Sequence, residues 1–579
     1  MMFAVILVVI FLLHVSLLRL PYFWDEAGYY VPAARDFLLT GDLIPHSTLS
    51  NAHPPLMLVW LAVWWKCAGY APLVTRSATL AVAAFSLVGL LRLAQRAANT
   101  EVAVASTLCT ALYPVFFAQS SLAQVDMAAA GLTFWGLCAY LEDRPVAVAV
   151  WFSLAALAKE TAIIAPVALA GWEVLRFFFR RGGGIHSVDP QGRVRLEVRR
   201  SAAEEDQKLT SGAKARPLSQ RLNGTRELLP FPPGSSVERS STARLLPLLC
   251  PLLPLILWYA FHYARTGYVF GNPEFFRYNV AATLHPVRFF LALALRLWQT
   301  FGYLHLWVLT LGMLLIMLLP PVKHDGVERQ RIAIPVQMIF LVVVAAYVVA
   351  MALIGGAVLA RYMLPAVPLV IIVGVSTLRR RLRYWPAACA VVGVAFITAW
   401  FWNPPYGFSP EDNLAYRDYI ILHQNAVHFL EASYPTARVL TAWPASDELT
   451  RPWLGYATRP IPVVRIEDFS LEEVLSAADF RSHFEVALVF STKYEPPHSL
   501  LERLMLGHWK KWEDLKRRFF GYHRDLPPEV AAQILGGHIV FAEERKGQWV
   551  AVIEMDQSQV QNASLRTVLI RQSRPRACF

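Results

Sequence analysis

Long apolar runs separated by short polar turns fill the first 402 residues, and shorter, half-apolar patterns replace them afterwards. A bilayer crossing needs roughly 20 largely apolar residues. Eleven runs are read as spans: Met2–Leu20, Leu73–Leu93, Val102–Ser120, Met127–Leu141, Val146–Leu157, Thr161–Phe179, Leu245–Ala264, Phe301–Leu319, Ile332–Ile354, Leu364–Leu378 and Tyr384–Trp402. Val146–Leu157 is short by itself and borrows flanking residues. A further apolar run, Pro55–Tyr70, carries Trp60, Trp64, Trp65 and Lys66 and reads as a helix lying along the interface. After Trp402, β-rich runs occur at Arg438–Trp443, Ile461–Ile466, Val486–Ser491, His538–Ala542 and Trp549–Glu554. Over Glu411–Ser433, Leu414, Tyr419, Leu422, Val427 and Leu430 recur at roughly helical spacing. The pattern predicts an all-α polytopic membrane bundle over 1–402, a soluble α/β domain over 403–556 and a frayed tail over 557–579. Residues 181–244 open with Arg-Gly-Gly-Gly and read as a flexible cytoplasmic insertion.

Composition agrees with this division. Only 17% of the 579 residues are charged and 56% are hydrophobic, whereas soluble domains carry about 25% charged residues. An ordinary soluble enzyme and a disordered chain are both excluded. The net charge of +12 is topological. With a cytoplasmic N-terminus, the inside loops hold Arg96, Arg144, Arg180, Arg181, Lys323, Arg329, Arg331 and the cluster Arg379, Arg380, Arg381 and Arg383. The 181–244 insertion adds 12 Lys/Arg against 7 Asp/Glu. This is the positive-inside pattern, and counting Pro55–Tyr70 as a span would invert it. No nucleic-acid partner is expected. The chain is placed in the plasma (bacterial inner) membrane, with its C-terminal domain extracytoplasmic. Leu17-Leu18-Arg19-Leu20-Pro21 offers no small-x-small cleavage site, so the first span is expected to be retained. The six cysteines form no C-x-x-C pair, and five lie in apolar stretches. They read as buried small hydrophobes, not as disulfides or metal ligands. The sequons at Asn223 and Asn562 carry little weight, since the first is expected to face inward.

Candidate chemistry gathers at one face of the bundle. Asp25 and Glu26 follow the first span in Pro21-Tyr22-Phe23-Trp24-Asp25-Glu26-Ala27-Gly28-Tyr29-Tyr30. Adjacent residues point about 100° apart on a helix, so at most one faces a substrate directly and the other orients it or binds a cation. Solvated charges at a helix start are the bland alternative. Asp126 lies between the third and fourth spans, where an ionisable side chain is a functional candidate and a helix cap is its rival. Cations face the same side: His53 before Pro54-Pro55, Lys159 beside Glu160, and Arg361 in Arg361-Tyr362. An intramembrane pair of Lys159 with Glu160, and an interfacial anchor at Arg361, are the structural alternatives. Transfer of a sugar from a lipid-linked phosphate uses both kinds of group. A base takes the proton of the attacking hydroxyl, and positive charge stabilises the departing phosphate.

With Gly41-Asp42-Leu43-Ile44-Pro45, His53-Pro54-Pro55, Gly69, Arg76, Asp126-Met127, Ala158-Lys159 and Arg361-Tyr362-x-x-Pro365, these residues resemble a known family. It comprises the GT-C fold membrane glycosyltransferases that use polyprenyl-phosphate sugars. Within it, the chain resembles bacterial relatives of the dolichyl-phosphate-mannose–protein mannosyltransferases and the lipid A aminoarabinose transferase. The resemblance covers about residues 1–180, and 340–370 more loosely. It implies Asp25 as catalytic base, and Glu26 and Asp126 as supporting carboxylates that orient the acceptor or help bind a metal where one is used. It implies His53, Lys159 and Arg361, with Tyr362, as contacts of the lipid phosphate. His53 stands where some relatives carry Lys, which makes phosphate binding there pH-dependent. Metal dependence varies across the fold; no ligand cluster is visible, so no metal or other cofactor is expected. The implied partners are a polyprenyl-phosphate-linked sugar, membrane lipid, and an acceptor glycan, lipid or protein.

Two rival readings remain at this level. A secondary transporter or flippase would line an ion path with Asp126, Lys159 and Arg361, but these charges gather near one surface instead of the midplane. A membrane scaffold or receptor using its soluble domain for binding leaves the acidic first loop unexplained.

Overall fold

The computed structural model describes residues 1–182, 241–271, 285–324, 326–354, 356–495 and 514–556. Most of the 181–244 insertion, the tail after Asp556, both sequons and Cys578 lie outside the described residues. The chain is a mostly helical, multi-pass membrane protein that ends in a mixed β-sheet domain. Its helices are α1 (Met2–Leu13), α2 (Val31–Thr40), α3 (Leu56–Ala68), α4 (Pro72–Ala97), α5 (Thr100–Leu112), α6 (Pro114–Ser121), α7 (Asp126–Leu141) and α8 (Pro145–Ala158). They continue as α9 (Ile164–Gly182), α10 (Ser241–Leu249), α11 (Leu252–Thr266), α12 (Pro286–Phe301), α13 (Leu306–Ile316), α14 (Ile334–Leu353), α15 (Val367–Arg381) and α16 (Trp385–Phe401).

Among the described residues, five helical stretches are long and apolar enough to cross a membrane: Pro72–Ala97, Glu160–Phe178, Arg244–Thr266, Pro286–Ile316 and Ile334–Leu353. A sixth arises if α5 and α6 count as one bent span. By length and composition the expected number of eleven is not confirmed among these residues, and the differences between runs and helices have local causes. Pro114 cannot continue the hydrogen-bond ladder, so the run Val102–Ser120 breaks into α5 and α6, which meet at 68°. The first run leaves the α-helix at Leu13, where the buried His14 ring reaches the carbonyls of Ile10 at 2.7 Å and Phe117 at 3.0 Å. The run expected at Phe301–Leu319 begins already at Pro286 and breaks at Leu304 and His305, whose φ values are 45° and 68°. Arg288 and Arg296, buried inside α12, lower its hydropathy and conceal its start. The helices α1, α3, α8 and α16 are apolar but short.

Helices α4 and α7 cross at small residues, as close packing in a bilayer favours. A Cβ added at Gly131 would lie 1.9 Å from Ser86 Oγ, and one at Gly89 would lie 2.8 Å from the Trp135 ring. This crossing fixes the start of α7, where Asp126 sits, against α4, which carries Arg76.

All five β-rich runs form strands, with ends shifted by a few residues. They are β1 (Val439–Ala442), β2 (Val463–Ile466), β3 (Val486–Phe490), β4 (Gly537–Arg545) and β5 (Gln548–Met555). The sheet order is β2-β1-β3-β5-β4. Strand β1 runs parallel to β2 and β3, while β5 runs antiparallel to β3 and β4. Every residue of β1 and β3 is buried, as a central strand covered on both faces requires. Helix α17 (Ala415–Ser433) packs across β4 and β5. The domain is joined to the first loop of the bundle by a shared core that includes Tyr22, Phe23, Ala27, Tyr419 and Leu454. Trp443 closes that joint: its ring lies 5.2 Å from the Trp24 ring, and its Cζ2 is 2.6 Å from where a Cβ on Gly28 would stand.

Candidate active site

The first loop turns sharply where its acids begin. Trp24 has φ 46°, in the left-handed region that bulky residues rarely occupy. Glu26–Tyr30 then form one π-helical turn, a local irregularity common at functional sites. This turn sends the two adjacent carboxylates apart.

Asp25 reaches Arg361, whose Nη2 lies 2.5 Å from its Oδ2. Glu26 turns into the protein. It is fully buried, its Oε1 is 2.5 Å from Arg76 Nη1, its Oε2 accepts the Phe23 N–H at 2.9 Å, and the Ala123 N–H donates to Oε1. Arg76, itself buried, also donates to the carbonyls of Ser121 at 2.7 Å and Pro21 at 2.8 Å. The Glu26–Arg76 pair thus ties the first loop to α4 and to the link between α6 and α7. Among the described residues it shares no hydrogen-bond partner with Asp25.

Arg361 is the hub of the other cluster. It is 2% exposed, and its guanidinium faces Asp25, Asp126 and Glu411 together. Its Nε lies 3.2 Å from Asp126 Oδ2, and Nη1 pairs with Glu411 Oε2. Lys159 joins through Asp126, with Nζ 2.6 Å from Oδ1, and sits over the Tyr362 ring at 3.8 Å. Arg361 and Arg296 also lie near that ring, at 5.6 and 5.5 Å. Asp25 is the accessible acid of the group, 22% exposed against 3% for Asp126 and for Glu411.

The sequence-predicted residues divide accordingly. Asp25, Asp126, Lys159, Arg361 and Tyr362 come together. Glu26 belongs to the buried Arg76 pair. His53 stands beside Tyr30, ring to ring at 5.8 Å, and its Nδ1 is 2.8 Å from Glu160 Oε2. Lys159 is therefore paired with Asp126 instead of with its neighbour Glu160, because the extended backbone at the end of α8 points the two in different directions. Asp126 has two basic partners, Arg361 and Lys159. Each cation expected to hold phosphate has a carboxylate partner here.

Glu411 was not singled out from sequence. It lies in the short turn Pro410–Asp412 between α16 and α17, within the stretch assigned to the soluble domain. The available signal was an acidic pair placed just after the last apolar run, as Asp25-Glu26 is after the first. Gln124 Nε2 donates to Glu411 Oε2 at 2.9 Å, while Tyr303 donates to Asp412 Oδ2 at 2.6 Å. Burial raises the Glu411 carboxyl from its ordinary range. Burial, with the charge of Glu411, pushes Asp412 up to about 8.

The approach to Arg361 is held by α12. Arg296 donates to the carbonyls of Met351 at 3.2 Å and Leu359 at 2.7 Å, and Gln299 donates to that of Val358 at 2.7 Å. Arg288 donates to the Gly356 carbonyl at 3.0 Å. These buried side chains satisfy an irregular segment that helix hydrogen bonds do not serve. Among the described residues, no group of three or more His, Cys, Asp or Glu side chains is placed to hold a metal ion.

No protein-family model matches the chain, and no curated protein matches it. Among solved structures it is similar to ArnT from Cupriavidus metallidurans bound to undecaprenyl phosphate, with TM-score 0.50 and 12% identity over 95% of this chain and 97% of that one. ArnT in the apo state gives TM-score 0.50 at 13% identity, with the same coverage. The archaeal oligosaccharyltransferase AglB from Archaeoglobus fulgidus, in complex with an inhibitory peptide and a dolichol-phosphate, gives TM-score 0.41 at 11% identity, over 96% of this chain and 74% of that one. The likeness to ArnT extends over nearly the whole of both chains and establishes the fold, the GT-C arrangement expected from the sequence motifs.

Proposed function

We propose that this protein is an inverting glycosyltransferase that moves a sugar from a polyprenyl-phosphate donor to an acceptor hydroxyl on the extracytoplasmic side of the plasma membrane. The observation that carries the reading is the convergence of an accessible acid, Asp25, with Arg361, Lys159 and Tyr362. The ArnT fold supports it, and the basic loops of the sequence support the orientation. Fold alone would not assign an activity.

In this mechanism the donor phosphate takes the guanidinium fork of Arg361, which suits phosphate geometry, with Lys159 and His53 beside it. Asp25, relieved of Arg361, receives the proton of the acceptor hydroxyl. The hydroxyl oxygen bonds to the anomeric carbon from the face opposite the phosphate. The carbon–oxygen bond to phosphate breaks, and its electron pair leaves with the phosphate, whose charge Arg361 and Lys159 offset. Asp126 orients both cations. Glu26 has a positioning role: it holds the loop that presents Asp25. None of these steps draws on a divalent metal.

The test is Asp25→Asn in a transfer assay on folded protein. General-base loss typically lowers the rate by about 10²- to 10⁴-fold, and wild-type turnover would remove Asp25 from the mechanism. Comparing lipid-linked sugars and envelope glycans by mass spectrometry, with and without the gene, would identify donor and acceptor. Uptake into proteoliposomes without covalent product would favour a transporter instead.

A further inference from the structure

Arg361 meets three carboxylates, and they are not equivalent. Asp126 keeps a second cation, Lys159, when Arg361 turns away. Asp25 is exposed enough for water to take over its solvation. Glu411 is buried; among the described residues it has no cation besides Arg361 within ion-pair distance, and its Oε1 has no hydrogen-bond partner. The cluster holds three acids against two cations, so an arriving phosphate meets a site already in negative excess. Every charged edge of the guanidinium faces a carboxylate, with Asp25 on Nη2 and Glu411 on Nη1, and phosphate can take both Nη groups only if Glu411 yields along with Asp25.

We propose that Glu411 is the affinity-setting residue of the site, an internal competitor that occupies Arg361 in the donor-free protein, yields it to the donor phosphate, and reclaims it to expel the lipid phosphate left after transfer. This rests on the reading of the site as one for a lipid-linked phosphate. The donor phosphodiester carries one negative charge, whereas the product monoester carries up to two near neutral pH. A bare pair of cations would therefore hold product more tightly than donor. Gln124 keeps the Glu411 carboxylate aimed at the guanidinium, ready to return. Because Glu411 sits between α16 and the start of α17, the exchange takes place at the root of the C-terminal domain.

The experiment compares wild type with Glu411→Gln, which keeps shape and removes charge, and Glu411→Asp, which keeps charge. Full-length protein in lipid nanodiscs is titrated with a polyprenyl monophosphate, and donor kinetics are measured alongside. Glu411→Gln is expected to bind the monophosphate at least about tenfold more tightly, with lower KM for the donor and lower kcat through slowed release. Glu411→Asp should return all three toward wild type. Should Glu411→Gln fail to fold, Glu411→Ala serves for the same comparison. Unchanged or weaker monophosphate binding by the folded neutral variants would overturn the proposal while leaving the glycosyltransferase reading intact. Failure of folded wild type and variants alike to bind any polyprenyl phosphate would overturn both.

Discussion

Replacing Glu26 by Gln should cost the protein its stability, whereas replacing its neighbour Asp25 by Asn should cost it only turnover. Glu26 is wholly buried and receives Arg76, Phe23 N–H and Ala123 N–H. The substitution leaves the guanidinium of Arg76, 1% exposed, without a counter-ion and turns an amide N–H₂ toward backbone donors. Breaking a buried pair in this way costs about 3–5 kcal/mol. Removing both partners should recover part of that loss, since no orphaned charge remains. The recovery is read against the sum of the two single-variant losses, because Arg76→Met also strips a donor from the carbonyls of Pro21 and Ser121, each costing about 1–3 kcal/mol when left unsatisfied. The coupling between Glu26→Gln and Arg76→Met should thus reach up to about 3 kcal/mol. Thermal unfolding of detergent-solubilised single and double variants, with transfer rates normalised to folded protein, gives the comparison. A Glu26→Gln protein that melts like wild type yet loses activity as Asp25→Asn does would refute this division and put Glu26 in the chemistry.

Two further substitutions probe the joint and the buried acid. Gly28→Ala places a methyl group 2.6 Å from Trp443 Cζ2; overpacking of this kind costs about 1–3 kcal/mol, and Trp443→Ala in the same chain should relieve it, as paired melting temperatures would show. Asp412 is raised to about 8 in the folded protein, by burial first and Glu411 second. Its stabilising contribution is complete below its ordinary range near 4 and is lost as pH rises through 8. The melting temperature should therefore fall between about pH 4 and 8 and level off above, and Asp412→Asn should flatten that part of the profile; an unchanged slope would place the titration elsewhere.

Much of the helical bundle was legible because a membrane span is a strong compositional signal, and where the reading slipped it slipped at identifiable residues. Proline at 114 broke one run, and arginines at 288 and 296 masked the beginning of another. The strands of the C-terminal domain were legible from β-branched and aromatic clusters, but their order was not, because β3 pairs with β1 and β5, from distant parts of the chain. Nothing in the local sequence encodes which distant strand becomes a neighbour.

The site was legible as a set of charges but not as a set of pairs. Lys159 was readable as a buried cation; that it would choose Asp126 over the adjacent Glu160 depends on backbone direction at the end of α8. Asp25 and Glu26 were readable as acids with separate duties, yet which one turned inward depended on Arg76 lying within reach across α4. Glu411 shows the deeper reason. Its spacing from Arg361 carries no periodic signal, and its surroundings in sequence are those of a soluble domain. Only a fold that returns the chain to the bundle after α16 can lay that carboxylate on the guanidinium. An isolated charge in an apolar chain announces that a partner must exist, since leaving it unpaired is costly. The identity of the partner is a property of topology, so functional inference from such sequences is strongest on residue type and weakest on who neutralises whom.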